Sequence, residues 1–241
     1  MGCYRFFVDV GSFTSQEEIV LEGSEAHHAR RVMRVEIGDR VSLVNGKGWH
    51  ARATVEAVEK RKLLFRVLSC EEVEPPSTEL WLGLANLRSN HLDFAIEKGV
   101  EVGVDHFVLF IADGSEIKAI SEARQRRICA LIQAAVKQCG RIFSPKIQIV
   151  HRVKQALQIM PKQMLWAHLS DKTKTLSSEL GNLDRKRSVC LCIGPEKGWS
   201  DREVALLGEH GQSVSLHENV LRSETAAIVG SYEIARWFCN L

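Results

Sequence analysis

From residue 79 onward, short apolar runs alternate with longer amphipathic ones, and that alternation leaves the chain few folds to choose from. The apolar runs at 79–85, 106–111, near 147–150, 163–168 and 188–193 read as strands, and about 90–102, 121–139, 200–208 and 224–238 as helices. Strands separated by helices cannot pair as hairpins. They lie parallel in one sheet covered by helices on both faces, which is why such strands are apolar throughout. The region before them differs. Residues 4–8 read as a strand, Ser24 as the cap of a short helix to about Met33, and 40–45 as a strand. Asn45-Gly46 then signals a hairpin, and Trp49–Val58 and Lys62–Leu68 alternate as half-exposed strands do. The acidic, Pro-containing stretch from Glu71 to Thr78 separates the two parts. The expectation is therefore a β barrel or sandwich over 1–72, a linker at 73–78, and an α/β domain over 79–241.

With 241 residues and 45% apolar side chains, both parts can bury a core. The formal net charge of +2 does not by itself mark a nucleic-acid binder; local clusters such as Arg30, Arg31, Arg34 and Arg40, or Arg124–Arg127, carry whatever signal there is. The seven cysteines are scattered, mostly within apolar runs, with no CxxC pair, as in a reduced cytosolic protein without a zinc site. Cys190 and Cys192 share a strand face and read as core. Neither a membrane-spanning run nor a signal sequence is apparent, so a soluble, cytoplasmic protein is expected, with no membrane and no metal.

Two stretches carry chemistry. In Ile193-Gly194-Pro195-Glu196-Lys197-Gly198-Trp199-Ser200, a buried strand runs into a glycine-bearing turn, and a helix capped by Ser200 follows. Open α/β sheets bind ligands at such carboxyl ends of strands, although the same turn can be purely structural. In Leu216 to Ala227, a polar loop ends in Leu221-Arg222-Ser223-Glu224-Thr225-Ala226 and opens the last helix, holding Arg222 at a loop-to-helix junction. No glycine cluster follows the strand at 79–85, and there is no GxxxxGKS, so neither a Rossmann dinucleotide site nor a P-loop is present.

Gly194-Pro195-Glu196-x-Gly198 followed by Leu221-Arg222-Ser223-Glu224-Thr225-Ala226 resembles the SPOUT methyltransferase superfamily and, within it, the RsmE family of 16S ribosomal RNA (uracil-N3)-methyltransferases. The likeness spans nearly the whole chain. His27-His28-Ala29 through Gly38-Asp39 resembles that family's PUA-like RNA-binding domain; Glu97-Lys98-x-x-Glu101-x-Gly103-Val104 and Gln138-Cys139-Gly140-Arg141 resemble its central segments. Four departures stand out. Lys197 and Trp199 replace a Gly and a Phe, and a positive φ at 197 would strain a lysine by about 1 kcal/mol. Ser223 replaces Thr. Ala134 and Lys137 stand where the family carries acidic residues. Arg88-Ser89-Asn90-His91 replaces Lys-Gly-Asp-Arg.

The resemblance implies a C-terminal trefoil knot, a homodimer, and S-adenosylmethionine held by loop backbone. It places the cofactor against Leu169-Ser170, Ile193, Gly194, Pro195, Glu196 and Gly198, and against Leu216, Asn219, Leu221, Thr225 and Ala226 in the loop and helix start that follow Ser215. For catalysis we single out Arg222, to stabilise charge on a uracil oxygen, with Glu196 or Glu224 orienting it or taking the N3 proton. RNA contacts are assigned to His28, Arg30, Arg31, Arg34, Arg88 and Arg141, with Lys47 and Arg52 adding phosphate contacts; His27 and His28 read equally as a partly buried helix face. The partner implied is 16S rRNA or the small ribosomal subunit, whose target base must be unpaired or flipped. Another SPOUT enzyme with a different target, such as a ribose 2′-oxygen, and a non-catalytic RNA-binding assembly factor remain alternatives.

Overall fold

A computed structural model describes residues 4–168, 170 and 173–239, without the side chains of Ser24 and His28. The chain divides into two compact units, Met1–Pro75 with Val136–Ser144, and Pro76–Ala135 with Pro145–Leu241.

The first unit contains β1 (Tyr4–Phe7), β2 (Glu18–Glu22), α1 (Gly23–Arg31), β3 (Arg40–Val44), β4 (Trp49–Val58) and β5 (Lys62–Glu72). They form one sheet in the order β1-β3-β4-β5-β2. Only the β1–β3 pair is parallel; the others are antiparallel. The hairpin expected at Asn45-Gly46 joins β3 to β4. Asn45 Oδ1 accepts from the amides of Lys47 (2.8 Å) and Trp49 (3.0 Å), and Gly46 takes φ 71°. Register shifts at Arg52/Ala53 and Val55/Ala57 curl the sheet. Among the described residues β1 and β2 do not pair, so the sheet is a curled half-barrel, in keeping with the β domain expected here. Its concave side is filled by Phe6, Phe13, Leu43, Leu63 and Phe65. The strand β2 was not foreseen from sequence, although Ile19 and Leu21 point inward and alternate with exposed neighbours.

The second unit contains β6 (Leu80–Ala85), α2 (Ser89–Glu101), β7 (His106–Phe110), α3 (Glu122–Cys139), whose last turn belongs to the first unit, and β8 (Lys146–Ile149). It continues with α4 (Val153–Ile159), β9 (Gln163–Ala167), β10 (Lys174–Thr175), α5 (Leu176–Leu180), β11 (Val189–Ile193), α6 (Asp201–Gly208), β12 (Gln212–Ser215) and α7 (Ser223–Cys239). The strands form a parallel sheet in the order β10-β12-β9-β11-β6-β7-β8. At its centre every residue of β11 is buried, as a strand covered on both faces requires. The chain leaves β11, forms α6, pairs β12 beyond β9, and then returns so that α7 packs on β6 and β11. This return brings two distant loops to the carboxyl end of β11. Cys190 and Cys192 are core, as read from sequence. Their sulfurs lie 3.9 Å apart, and the contact with Cys190 together with burial pushes the Cys192 thiol well above its ordinary pKa. Four short elements, α4, β10, α5 and β12, were not foreseen.

Candidate active site

Ile193 ends β11 and is buried, as are Gly194 and Pro195. The turn that follows is fixed by its neighbours. Gly198 takes φ 75°, and its amide donates to the Pro195 carbonyl at 2.9 Å. Positive φ thus falls on Gly198, and Lys197 is not among the residues with positive φ, so the strain considered for that lysine does not arise. The Trp199 indole Nε1 donates to the Ala167 carbonyl (3.0 Å), and the ring stacks at 6.0 Å on Phe110. Gly194 is needed because a Cβ there would stand 2.9 Å from Trp199 Cε2.

Ser200 caps α6 in a full capping box with Glu203. The buried Glu203 carboxylate also accepts from the Asp113 amide (2.9 Å), and Ser200 Oγ donates to Asp113 Oδ2 (2.6 Å). A Cβ on Gly114 would meet the Gly198 carbonyl at 2.9 Å. The loop after β7 therefore backs the turn closely. Sequence reasoning passed over Asp113 and Gly114, although Asp-Gly-Ser after a strand is a turn signal.

The second loop is organised by its own polar groups. Ser215 Oγ donates to the His217 carbonyl (3.0 Å), and the Asn219 amide donates to His217 Nδ1 (3.0 Å). Its end starts α7, where the Arg222 carbonyl accepts from the Ala226 amide (2.8 Å). Gly230, one face further along α7, lets that helix lie against β11; a Cβ there would stand 2.5 Å from Leu191 Cδ2 and 3.2 Å from Leu216 Cδ2.

Between the two loops lies a cavity of about 640 Å³, within the size range of small-molecule sites. Of the residues singled out from sequence, Ile193, Gly194, Pro195, Glu196, Gly198, Leu216, Asn219, Leu221, Arg222, Glu224 and Ala226 line it. Thr225 is exposed and does not, because the helix turns its side chain away. Leu169 lies outside the described residues. His91, Ala167, His168, Trp199 and Val214 line the cavity without having been singled out. His91 is the most consequential of these. Its Nδ1 lies 3.5 Å from Glu224 Oε2 and 3.8 Å from Glu196 Oε1. Glu196 Oε1 also accepts from the Arg88 amide at 3.3 Å.

The residues assigned to RNA are not among those that line the cavity. Arg30 and Arg31 are on α1; Arg34 follows it, exposed and with φ 54°. Arg52 is exposed on β4, and Lys47 pairs with Asp9 at 3.3 Å. Arg141 belongs to the segment that joins the first unit. The side chain of His28 is outside what the structure describes, and His27 is exposed. Arg88 is held by both oxygens of Glu116 (2.7 and 3.0 Å), a bidentate pair that holds the Glu116 carboxyl below the usual carboxylate range. Arg124 bonds Ser89 Oγ and Arg127 grips Asp93 (2.9 and 2.7 Å), so two of these α3 arginines bind α3 to α2 rather than forming a free basic face. Lys137 pairs with Glu25. Among the described residues no group of three or more His, Cys, Asp or Glu is arranged to hold a metal ion, and no helix is long and apolar enough to cross a membrane.

Comparison with known proteins agrees with this architecture. Residues 74–232 match an RNA methyltransferase domain and residues 21–68 an RNA methyltransferase PUA domain. The chain is 27% identical over 238 residues to the ribosomal RNA small subunit methyltransferase E of Bacillus subtilis, covering 93% of both chains. To that of Rickettsia conorii it is 26% identical over 216 residues, covering 86% of this chain and 85% of the relative. Its fold is similar to that of a Legionella pneumophila methyltransferase structure in complex with SAM, with a TM-score of 0.85, 26% identity and 98% coverage of both chains. This chain belongs to the RsmE-type RNA methyltransferases, with a PUA domain ahead of the methyltransferase domain.

Proposed function

We propose that this chain methylates N3 of a specific uridine in 16S ribosomal RNA of the small subunit, using S-adenosylmethionine bound between the loops 193–199 and 215–226. The observation that carries the reading is the shared cavity of these loops, which are distant in sequence and each carry a family motif. The lining suits the cofactor. Ile193, Pro195, Leu216 and Leu221 offer apolar surface to a nucleoside, glycines at 194 and 198 let the backbone approach closely, and two carboxylates complement a sulfonium cation. The cofactor supplies an electrophilic methyl group. The relatives' names, ribosomal RNA small subunit methyltransferase E, support the RNA class.

In this reading the protein's work is mainly positioning. Arg222, always charged and at the start of α7, stabilises the charge that develops on a uracil oxygen as N3 loses its proton. Glu196 and Glu224 line the same cavity. The curled sheet of the first unit, with Arg30, Arg31, Arg34 and Arg52, supplies salt-dependent phosphate contacts. A homodimer belongs to the reading, and so does a trefoil formed by the return from β12 to α7.

The test is incubation of unmodified small-subunit RNA, free and assembled, with isotopically labelled S-adenosylmethionine, followed by nuclease digestion and chromatography. Label in 3-methyluridine is expected. Label in a ribose-methylated nucleoside would point to a different target, and no label despite cofactor binding would reject the enzyme reading. Arg222→Ala should lose at least about a hundredfold in turnover with cofactor affinity kept.

A further inference from the structure

Resting on the reading just given, we infer that His91 is the proton acceptor for uracil N3 and that Glu196 and Glu224 hold it for that task. Three elements converge here. His91 comes from α2, Glu196 from the turn after β11 and Glu224 from the first turn of α7. Both carboxylates approach the same ring atom, Nδ1, at 3.8 and 3.5 Å. Nδ1 and Glu224 Oε2 are both shielded from solvent, and neither has a hydrogen-bond partner among the described residues. A small ring rotation joins them. The imidazole side chain is 36% exposed although its Nδ1 is not, so its accessible edge lies on the remaining ring atoms, which include Nε2. With carboxylates beside Nδ1 and the residue on the cavity wall, Nε2 is the nitrogen left to act as a base.

The residue type at this position suits the task. An arginine keeps its proton throughout and can serve only as a charge, whereas a histidine exchanges one near neutral pH. The step balances simply. The N3–H bond breaks and its proton passes to Nε2. N3 forms a bond to the methyl carbon as the carbon–sulfur bond breaks, and the sulfonium leaves as a neutral thioether. The imidazolium, neutralised by the carboxylates, then returns its proton to water.

The charged groups around the ring are few. Glu196 and Glu224 face it directly. At the start of α2, Arg88 is engaged by Glu116, and Arg124 of α3 by Ser89. Asp93, on α2, is taken by Arg127. Arg222 lines the same cavity. Lys197, His168 and His217 are the other basic side chains that line it, among the described residues.

The test compares wild type, His91→Gln and His91→Arg in single-turnover methylation of small-subunit RNA across pH, with calorimetric affinities for cofactor and RNA. Wild type should show one acidic limb. His91→Gln should lose at least about a hundredfold in rate and the limb with it, with both affinities within about threefold. His91→Arg should not restore the rate. Independently of turnover, nitrogen NMR of the full chain should show the neutral His91 ring with its proton on Nδ1, facing the carboxylates, and that tautomer preference should weaken in Glu224→Gln. Retained rate and limb in His91→Gln, full activity of His91→Arg, or a tautomer preference unmoved by Glu224→Gln would each overturn the assignment. A wild type that makes another methylated nucleoside would overturn the functional reading and this inference with it, whereas normal 3-methyluridine formation by both His91 variants would overturn this inference alone.

Discussion

Gly194→Ala is a small change placed where the structure has no slack. The new Cβ would lie 2.9 Å from Trp199 Cε2 and 3.1 Å from both Cδ2 and Nε1, about half an ångström short of ordinary contact. The indole cannot swing away freely, because its Nε1 bonds Ala167 and its face lies on Phe110. Displacing it sacrifices one partly buried hydrogen bond, about 1 kcal/mol, and forces a well-packed contact, typically about 1–3 kcal/mol. We expect about 2 kcal/mol of destabilisation by denaturant unfolding, and cofactor affinity lowered about tenfold, equivalent to about 1.4 kcal/mol, because the shifted turn forms one cavity wall. A double-mutant cycle isolates the cause. Trp199→Phe removes the indole atoms that the Cβ would strike, so Gly194→Ala should cost about 1 kcal/mol less in that background. Additivity within about 0.5 kcal/mol would refute the reasoning, since it would mean that the two residues do not meet.

Gly230→Ala should destabilise by about 1–3 kcal/mol and also weaken cofactor binding in calorimetry, because its Cβ would press both Leu191 and the cavity-lining Leu216. Arg127→Ala should cost about 1–2 kcal/mol in chemical unfolding by leaving Asp93, whose side chain is 12% exposed, without its guanidinium partner. Burial raises the Glu233 carboxyl above the usual carboxylate range, so the folded state holds that proton more tightly than the unfolded chain does. Its ionisation therefore opposes folding at neutral pH. Glu233→Gln should raise the melting temperature there, with the difference vanishing as pH falls below the carboxylate range. In the folded state Cys192 should resist alkylation at neutral pH while exposed Cys129 reacts, as peptide mass spectrometry would show.

The long, strongly patterned elements were legible in the sequence. The runs 79–85 and 188–193 became central strands because apolarity on every residue has no other home in a soluble sheet. The weakly patterned ones were not: β12 and β10 are four and two residues long, and their pairing is decided by neighbours in the sheet. In the site, Gly194–Gly198 and Leu221–Ala226 stood out because glycine turns and helix starts leave local signatures. Their juxtaposition came from the family resemblance, since no local rule predicts a return from β12 to α7. His91 was passed over because it sits on an amphipathic helix whose neighbours Leu92, Ala95 and Ile96 explain the pattern without it. Only the approach of Glu196 and Glu224 from elsewhere in the chain gives the histidine a role. Conversely, Arg124 and Arg127 read as a basic face until Ser89 and Asp93 were seen to occupy them.

Hydrogen exchange with and without S-adenosylmethionine addresses the shared pocket directly. The account predicts that the ligand slows exchange together at amides in 193–199 and 215–226 and leaves the sheet of the first unit unchanged. Protection of only one of these segments, or protection elsewhere with neither affected, would contradict it.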